Sequence, residues 1–331
     1  MNIREAIKGY LLDAKIEPQT PKHIAGKQRV LEAIFATWCE EQGATTLEQV
    51  TPTVLKGFLV SLQERTISEH DSRISKRGKR LALMSVRDYS RMVRAFFSWC
   101  EREGYLEGRT NPMRMVPQTK VPKYIIPAFT PQQMQDLLAV CDLDTTVGFR
   151  NYTMLLVLMD TGIRVSELCR LTLAGVHEDY LTVVGKGDAT TLGKEREVGL
   201  SPTTARALWK YIHQYRPAVS EHEQRVFLTR FKTPFDASYV WKVLREIGEE
   251  AGIEGVRISP HTLRHSFAKE WLANGGELIK LSRVMGHTDI ETTQVYLKDF
   301  TARDARGEHS RFSPVAIHHL GKSKHKGKKP R

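Results

Sequence analysis

Apolar residues recur at helical spacing in three stretches of the first third of the chain. The first begins near Val30, the second follows an N-cap and helix-start pair at Thr51 and Pro52, and the third covers residues 85–103. The apolar positions are Val30, Leu31, Ile34, Phe35 and Trp38, then Val54, Leu55, Phe58, Leu59 and Leu62, then Val86, Tyr89, Val93, Phe96, Phe97 and Cys100. Because each set shares one helical face, we predict a helical N-terminal region.

Strand-like patterns follow in the second part of the chain. Residues 180–184 are β-branched and aromatic, and residues 196–200 are the candidate hairpin partner. Helices are predicted around them: a buried one over 152–159, others at Thr130 (with Gln133 in a capping box), Ser201 and Ser259, and one near 238–252. The predicted fold class is mostly α with a small antiparallel β-sheet.

A proline-rich stretch without periodicity divides the chain. It lies between Asn111 and Pro127 and is the predicted domain boundary. We therefore predict a helical domain over residues 1–116, a linker over 117–127, a second domain over 128–305 and a basic C-terminal tail over 306–331. The tail is expected to be disordered and to strengthen DNA binding without reading sequence.

The charge of the chain narrows the range of partners. It carries 50 Lys and Arg against 38 Asp and Glu, a net +12 over 331 residues. This favours a polyanionic partner, with nucleic acid first and an anionic membrane surface second, although a merely soluble basic protein also fits. The N-terminal stretch has no apolar signal segment, and no apolar run is long enough to span a bilayer. The cysteines are predicted to be reduced core thiols of an intracellular protein; they are Cys39, Cys100, Cys141 and Cys169.

The stretch TGIRVSEL, residues 161–168, contains a candidate anion ligand. Arg164 follows the predicted buried helix, where an unpaired charge is costly, and Glu167 lies one turn further along. The two residues could form a structural ion pair. Alternatively, Glu167 could hold the guanidinium of Arg164 so that it binds a phosphate bidentately.

Two histidines and an arginine occupy the start of the helix at Ser259. His261 falls in its first turn and Arg264 three residues later, at a helix end whose free amides suit a phosphate. His261 and His265 also have the spacing of a metal pair. No third ligand is evident, so we predict no metal site.

The remaining candidates lie on a hairpin loop and near the C-terminus. Lys186 sits between two glycines after the first strand, and Lys194 ends the same loop; either could bring an ammonium to a leaving oxygen. Thr288 to Glu291 fits a capping box. It would place His287 in the turn before a helix and Tyr296 about two turns inside it. Tyr296 alone would be interpreted as a packing residue.

A basic face is also present in the N-terminal domain. Arg87, Arg91 and Arg94 are three and four residues apart on the third helix, opposite its apolar side. They are candidate phosphate contacts, and a solvated helix face is an equally good interpretation.

Taken in order, the second-domain motifs resemble a known family. TGIRVSEL (161–168), VVGKG (183–187), HTLRHSFA (261–268) and MGHTDIETTQVYLK (285–298) look like the motifs of the tyrosine recombinase, or phage integrase, family. The resemblance covers most of the chain and implies a helical core-binding domain followed by a mixed α/β integrase-type catalytic domain, the two clamping a DNA duplex.

The resemblance also implies a mechanism. Tyr296 would attack a DNA phosphodiester to give a 3′-phosphotyrosine and a free 5′-hydroxyl. Arg164, Arg264 and a donor from His287 would stabilise the phosphate, with Glu167 in support. His261 would act as base, and Lys186, or Lys194 as the second choice, as general acid. One phosphodiester is exchanged for another, so neither ATP, a redox cofactor nor a metal is expected.

The expected partners follow from the same resemblance. They are double-stranded DNA recombination sites, three further copies in a homo-tetramer on synapsed DNA, and an accessory DNA-bending or directionality factor, with no membrane. The location would be the cytoplasm, at the nucleoid of a bacterium or archaeon or of the host of a phage or mobile element. Integration and excision of such an element is the favoured biology.

Three other functions remain open at this point. A type IB topoisomerase would share the catalytic residue types but need no partner strand. A non-catalytic DNA-binding regulator could retain the fold. In an unrelated basic helical protein, Arg164, Arg264 and Tyr296 would be packing residues.

Overall fold

The chain forms two compact units, each described here by itself. The computed structural model describes residues 1–16, 19–66, 78, 80–106, 108, 110–122, 127–185, 195–287 and 291–294. Described residues up to 122 belong to the first unit, and those from 127 onward belong to the second. Residues 117–122 of the predicted linker contain no helix or strand. The predicted basic tail at 306–331 lies outside the described residues.

The first unit is helical, as predicted. Its helices are α1 (Ile3–Ile16), α2 (Pro21–Val30), α3 (Thr37–Glu41), α4 (Pro52–Glu64) and α5 (Leu83–Arg102). A π-helical segment, Leu31–Ala36, joins α2 to α3. Thr51 caps α4, since its hydroxyl accepts the Val54 N–H at 3.3 Å.

Aromatic rings dominate the core of this unit. Phe35 packs edge-on against Phe58 and Phe97, with centroids 5.1 and 6.1 Å apart, and none of the three rings is more than 1% exposed. The indole N–H of Trp99 has a hydrogen-bond partner, because it donates to the carboxylate of Asp13 at 2.7 Å. The stability of this unit therefore rests on buried apolar area and ring geometry.

The second unit surrounds a two-stranded sheet with helices. The strands β1 (Tyr180–Val184) and β2 (Glu195–Gly199) are antiparallel, with Leu181 opposite Val198 and Val183 opposite Arg196. The helices are α6 (Pro131–Ala139), α7 (Thr146–Thr161), α8 (Val165–Arg170), α9 (Pro202–Lys210), α10 (Ala237–Glu250), α11 (Pro260–Ala273), α12 (Leu278–Met285) and α13 (Glu291–Gln294). The predicted fold class, mostly α with a small antiparallel sheet, is confirmed.

Local signals in the sequence set several element ends in this unit. Thr130 accepts the Gln133 N–H at 3.1 Å while the Gln133 side chain accepts the Thr130 N–H at 3.0 Å, so the predicted capping box is present at α6. The buried helix predicted over 152–159 is the centre of α7. Among the described residues, no helix is both long and apolar enough to cross a membrane.

The four cysteines are unpaired thiols, as predicted. Cys39, Cys100 and Cys141 are buried and Cys169 is half-buried. Burial raises the pKa of Cys39 and Cys100 to about 12. It raises the pKa of Cys141 and Cys169 to about 11. These thiols are therefore protonated and unreactive packing groups at neutral pH.

Candidate active site

A glycine delivers the first candidate arginine to the site. α7 ends at Gly162, whose φ of 59° is left-handed. A Cβ added there would lie 2.3 Å from a ring carbon of Phe267 on α11. Gly162 is thus required both by the backbone turn and by the close approach of α11. After the buried Ile163, Arg164 occupies the N-cap position of α8.

Glu167 is the buried centre of the site. Its side chain is 0% exposed, and Oε1 lies 3.0 Å from Nη1 of Arg164, so the predicted pair is present. Oε2 also accepts the backbone N–H of Arg164 at 2.8 Å. Burial alone would raise the pKa of Glu167, but hydrogen bonds from Arg196 and the Arg164 backbone, with the charges of both arginines, lower it below its ordinary value. Glu167 is therefore an ionised carboxylate.

Arg196 is a partner that the sequence analysis missed. Its Nη1 and Nη2 donate to the two carboxylate oxygens of Glu167 at 2.9 and 2.8 Å. A signal was available in the strand: Arg196 lies two residues before the buried Val198, on the same face of β2, and opposite the buried Val183. A charged residue on the inward face of a hairpin requires a buried partner of opposite charge.

Three arginines converge on the C-terminal end of α12. Arg196 Nε donates to the carbonyl of Val284 at 2.7 Å. Arg264 Nη2 and Arg164 Nη1 donate to that of Met285 at 2.8 and 3.2 Å, and Arg164 Nη2 donates to that of Gly286 at 3.0 Å. The last carbonyls of a helix have no intrahelical partners and form its negative end. The helix end therefore gathers the guanidiniums at one place.

This cluster carries more positive charge than its acid neutralises. Three guanidiniums and the Glu167 carboxylate leave a net charge of +2 on these four side chains. Arg164 is 32% exposed along its side chain, whereas Arg196 is 13% exposed. Within the described part of the chain, Nε of Arg164 and one hydrogen on its Nη2 have no acceptor. Nε and this second hydrogen are therefore donors that Arg164 can offer to a phosphate.

Arg264 is held more deeply than Arg164. It lies on α11, whose N-cap Ser259 accepts the Thr262 N–H at 3.1 Å. The Arg264 residue is 6% exposed, and Nη1 donates to the carbonyl of Gly162 at 2.6 Å. The turn that positions Arg164 therefore also accepts a hydrogen bond from Arg264.

His287 accepts a hydrogen bond from Arg264. Arg264 Nη2 lies 2.9 Å from His287 Nε2, and His287 Nδ1 lies 2.7 Å from the hydroxyl of the buried Thr293. Because a guanidinium can only donate, Nε2 carries no proton and Nδ1 donates to Thr293. Burial, with the charges of Arg264, Arg164 and Arg196, lowers the pKa of His287 to about 4. The ring is therefore neutral at pH 7.

His261 lies at the exposed rim, in the first turn of α11. Partial burial of the ring, together with the charges of Arg264, Arg257 and Arg164, lowers its pKa below the ordinary value. It is therefore a neutral imidazole able to accept a proton at pH 7. Among the described residues, no group of three or more His, Cys, Asp or Glu could hold a metal ion.

Several predicted site residues lie outside the described residues. These are Lys186, Lys194 and Tyr296, with Thr288, Asp289 and Ile290 of the predicted capping box. The described α13 ends at Gln294, two positions before Tyr296 in the sequence, and its Thr293 is the partner of His287.

The basic face of α5 in the first unit is not uniform. Arg94 donates to the carbonyls of Met113 and Val116 at 2.7 and 2.9 Å and so secures the segment after α5. Arg91 is exposed, and Arg87 is half-buried with Nε 3.8 Å from the carboxylate of Asp88. Arg94 therefore has a structural role, while Arg91 is the member most open to a ligand.

Comparisons with known proteins identify the relatives of this chain. Residues 127–303 match the phage integrase family. The chain is 34% identical over 217 residues to the tyrosine recombinase XerD of Listeria innocua, covering 64% of this chain and 70% of that one. It is 33% identical over 236 residues to XerD of Staphylococcus aureus strain Mu50, covering 70% and 77%. In fold it is similar to the Tn1549 transposon integrase, solved in complex with circular intermediate DNA, with a TM-score of 0.72 at 17% identity over 94% of this chain and 99% of that one. The chain belongs to the phage integrase family and is a tyrosine-type site-specific recombinase.

Proposed function

We propose that this recombinase cleaves and rejoins duplex DNA through a 3′-phosphotyrosine formed on Tyr296, with its phosphate held by the arginines around Glu167. The observation that carries the proposal is the convergence of Arg164 and Arg264 beside Arg196, where one carboxylate leaves positive charge unneutralised. A phosphodiester gains negative charge on its non-bridging oxygens as it is attacked, so preorganised guanidiniums stabilise the transition state more than the ground state.

Each cleavage step exchanges one ester for another. The Tyr296 oxygen forms a bond to phosphorus while the bond from phosphorus to the 5′-oxygen breaks, and the 5′-hydroxyl departs once protonated. The reverse attack by the 5′-hydroxyl of a partner strand rejoins the DNA and frees the tyrosine. No bond energy is lost, so no nucleotide cofactor is required.

The proton movements assign roles to His261 and a lysine. A tyrosine hydroxyl has an ordinary pKa near 10, so a base must take its proton at neutral pH. The lowered pKa of His261 keeps it neutral and able to accept a proton, but makes it a weak base. The proton therefore moves as the phosphorus–oxygen bond forms. Lys186, with Lys194 as the second choice, protonates the leaving oxygen.

His287 has a more specific role in this proposal than that of a charged donor. Its Nε2 accepts from Arg264, so the imidazole first orients that guanidinium. Donation from Nε2 to a phosphate oxygen requires the Arg264 contact to be exchanged and the tautomer to switch. Through Nδ1 and Thr293, the same ring is connected to the helix that leads to Tyr296.

The partners follow from the chemistry. A phosphodiester substrate and a net charge of +12 favour double-stranded DNA. Exchange between two duplexes requires four strand cleavages, which a homo-tetramer supplies with one Tyr296 per protomer. The recombined DNA is proposed to belong to a phage or other mobile element in the cytoplasm of a bacterium or archaeon, with a DNA-bending or directionality factor as a further partner.

A covalent trapping experiment tests the proposal. Sheared DNA of the source organism is incubated with the protein, adducts stable to SDS are sequenced to locate the site, and the site is rebuilt as a nicked suicide duplex. We expect an adduct with wild type and with the matched control Tyr180→Phe, and none with Tyr296→Phe. Adduct formation by Tyr296→Phe, or no adduct on any source DNA, would contradict the proposal. Relaxation of supercoiled plasmid lacking the site would instead indicate topoisomerase-like activity.

A further inference from the structure

The second arginine on Glu167 is placed to organise the site and not to contact substrate. All three nitrogens of the Arg196 guanidinium donate within the protein, two to Glu167 and one to the carbonyl of Val284. Its side chain is 13% exposed, against 32% for Arg164 on the same carboxylate. Two guanidiniums thus share one acid, and among the described residues the more exposed one has no acceptor for its Nε, which leaves that donor for an anion.

Arg196 connects three separate elements of the second unit. It lies on β2, pairs with Glu167 on α8 and binds the C-terminal end of α12. Its guanidinium lies against Gly286, where an added Cβ would be 2.8 Å from Cζ and from Nη1 of Arg196. Gly286 has a φ of 64° and directly precedes His287. The turn that delivers His287 is therefore shaped around Arg196.

The same residue lies at the end of the hairpin loop that carries the candidate general acids. β1 ends at Val184 and β2 begins opposite it at Glu195, so residues 185–194 separate the two strands in the sequence. Lys194 is two positions before Arg196 in the sequence, and Lys186 is two positions after Val184. An ammonium on such a loop protonates a leaving oxygen only within hydrogen-bond reach of it, and a displacement of about 1 Å can cost roughly 10²-fold in rate.

We propose that Arg196 is a positioning residue that aligns the lysine-bearing hairpin with the phosphate held by Arg164. Arg196 binds the two carboxylate oxygens of Glu167 through Nη1 and Nη2, and the end of α12 through Nε. These contacts fix β2 relative to Arg164, the arginine that binds substrate. Lysine could not replace it, because an ammonium lacks the planar fork that reaches both carboxylate oxygens and a carbonyl at once. The inference rests on the proposed function, since it assigns Arg196 to the leaving-group side of that reaction.

A change of leaving group tests this role specifically. In a DNA strand whose 5′-bridging oxygen is replaced by sulfur, attack by Tyr296 breaks a phosphorus–sulfur bond, and the thiolate departs without needing a proton. Single-turnover cleavage is measured on ordinary and sulfur-bridged suicide duplexes for wild type, Arg196→Lys, Arg164→Lys, Lys186→Ala and Lys194→Ala. Arg225→Lys is the matched control, since Arg225 also donates to α8, at the carbonyl of Cys169 at 3.3 Å, but not to the Glu167 carboxylate.

We expect Arg196→Lys to cleave ordinary DNA on the order of 10²-fold more slowly than wild type and to recover to within about tenfold of it on sulfur-bridged DNA. The lysine variant that removes the general acid should recover in the same way. Arg164→Lys should stay slow on both substrates, and Arg225→Lys should behave as wild type. A residue that merely stabilised the fold would slow both substrates equally.

The other outcomes overturn the inference. One is equal slowing of Arg196→Lys on both substrates, and another is no slowing at all. A third is loss of folding in both Arg196→Lys and Arg196→Gln by thermal melting, which would show that Arg196 stabilises the fold of the whole unit. A wild-type protein that forms no adduct on either DNA refutes the proposed function itself, and the inference falls with it. Wild-type cleavage therefore separates the two failures.

Discussion

Two sets of arginines that donate to backbone carbonyls, one in each unit of this recombinase, have different surroundings. In the N-terminal unit, Arg94 donates to two backbone carbonyls, those of Met113 and Val116, and the surrounding core is apolar and aromatic. In the C-terminal unit, Arg164, Arg196 and Arg264 also donate to carbonyls, but they converge on one helix end. Two of them, Arg164 and Arg196, also share the carboxylate of Glu167. A lone guanidinium on carbonyls secures a chain segment, whereas converging guanidiniums in excess of their acids create a site for an anion.

The contrast recurs inside the C-terminal unit. Arg164 and Arg196 bind the same carboxylate, but Arg164 keeps a partly exposed edge and Arg196 does not. In the proposed roles, Arg164 binds the substrate phosphate and Arg196, on the same Glu167, positions the scaffold. Among the described residues each guanidinium makes three hydrogen bonds, so the difference lies in exposure and in Nε, which is unbonded in Arg164 and donates to Val284 in Arg196.

The largest expected effect is a difference in DNA cleavage between an arginine variant of the C-terminal unit and one of the N-terminal unit. Arg164→Lys should lower single-turnover DNA cleavage by roughly 10²–10³-fold, the loss typical of removing one preorganised donor to a developing oxyanion. Arg94→Lys should leave cleavage at saturating DNA within about threefold of wild type, because lysine can still reach one of the two carbonyls. Quench-flow measurements of adduct formation compare the two variants. Equal losses would show that converging charge has no special role.

A smaller effect is expected on stability when the shared acid is removed. Glu167→Gln leaves two guanidiniums facing a neutral, buried amide, which should reduce the free energy of unfolding by about 3 kcal/mol. Glu249→Gln is the matched control, since its ion pair with Arg245, at 3.5 Å, is exposed on both sides and should contribute less than about 1 kcal/mol. Urea denaturation followed by circular dichroism gives both values. A Glu167→Gln protein as stable as the control would contradict the role of Glu167 as the buried centre.

The smallest effect concerns pH. The pKa of His287 is about 4 in the folded protein, below its ordinary value of about 6.5, so protonation favours the unfolded chain. The stability that neutral His287 contributes is present above pH 6.5 and is lost as the pH falls from there towards 4. His287→Gln should therefore lose less stability than wild type between pH 7.5 and 5. Melting temperatures at the two pH values provide the check, and parallel losses would refute the assignment of the neutral ring.

Much of the scaffold could be predicted from local patterns. The caps at Thr51 and Thr130 are local in sequence, so the helix starts they mark were predictable. The Arg164–Glu167 contact was predictable as well, because it spans one helical turn. The π-helical segment at 31–36 was not, since its buried Leu31, Ile34 and Phe35 are three and four residues apart, as in an α-helix.

The polar connections of the site depend on contacts distant in sequence. Arg196 pairs with Glu167 across 29 residues, and Arg264 meets His287 across 23, so no local pattern reports either contact. The sequence predicted His287 as a hydrogen-bond donor. Its acceptor role follows from which group faces Nε2, and that is decided by tertiary packing. For Arg196, the available hint was its position on the inward face of β2, together with Val198.

The central claim is that Tyr296 becomes covalently attached to the 3′-phosphate of cleaved DNA. The most direct measurement traps the adduct on a suicide duplex, digests it with nuclease and protease, and identifies the nucleotide-bearing peptide by mass spectrometry. The account predicts a nucleotide on Tyr296 through its 3′-phosphate, with a free 5′-hydroxyl on the released strand. A nucleotide on any other residue, or attachment of the DNA through a 5′-phosphate, would contradict it.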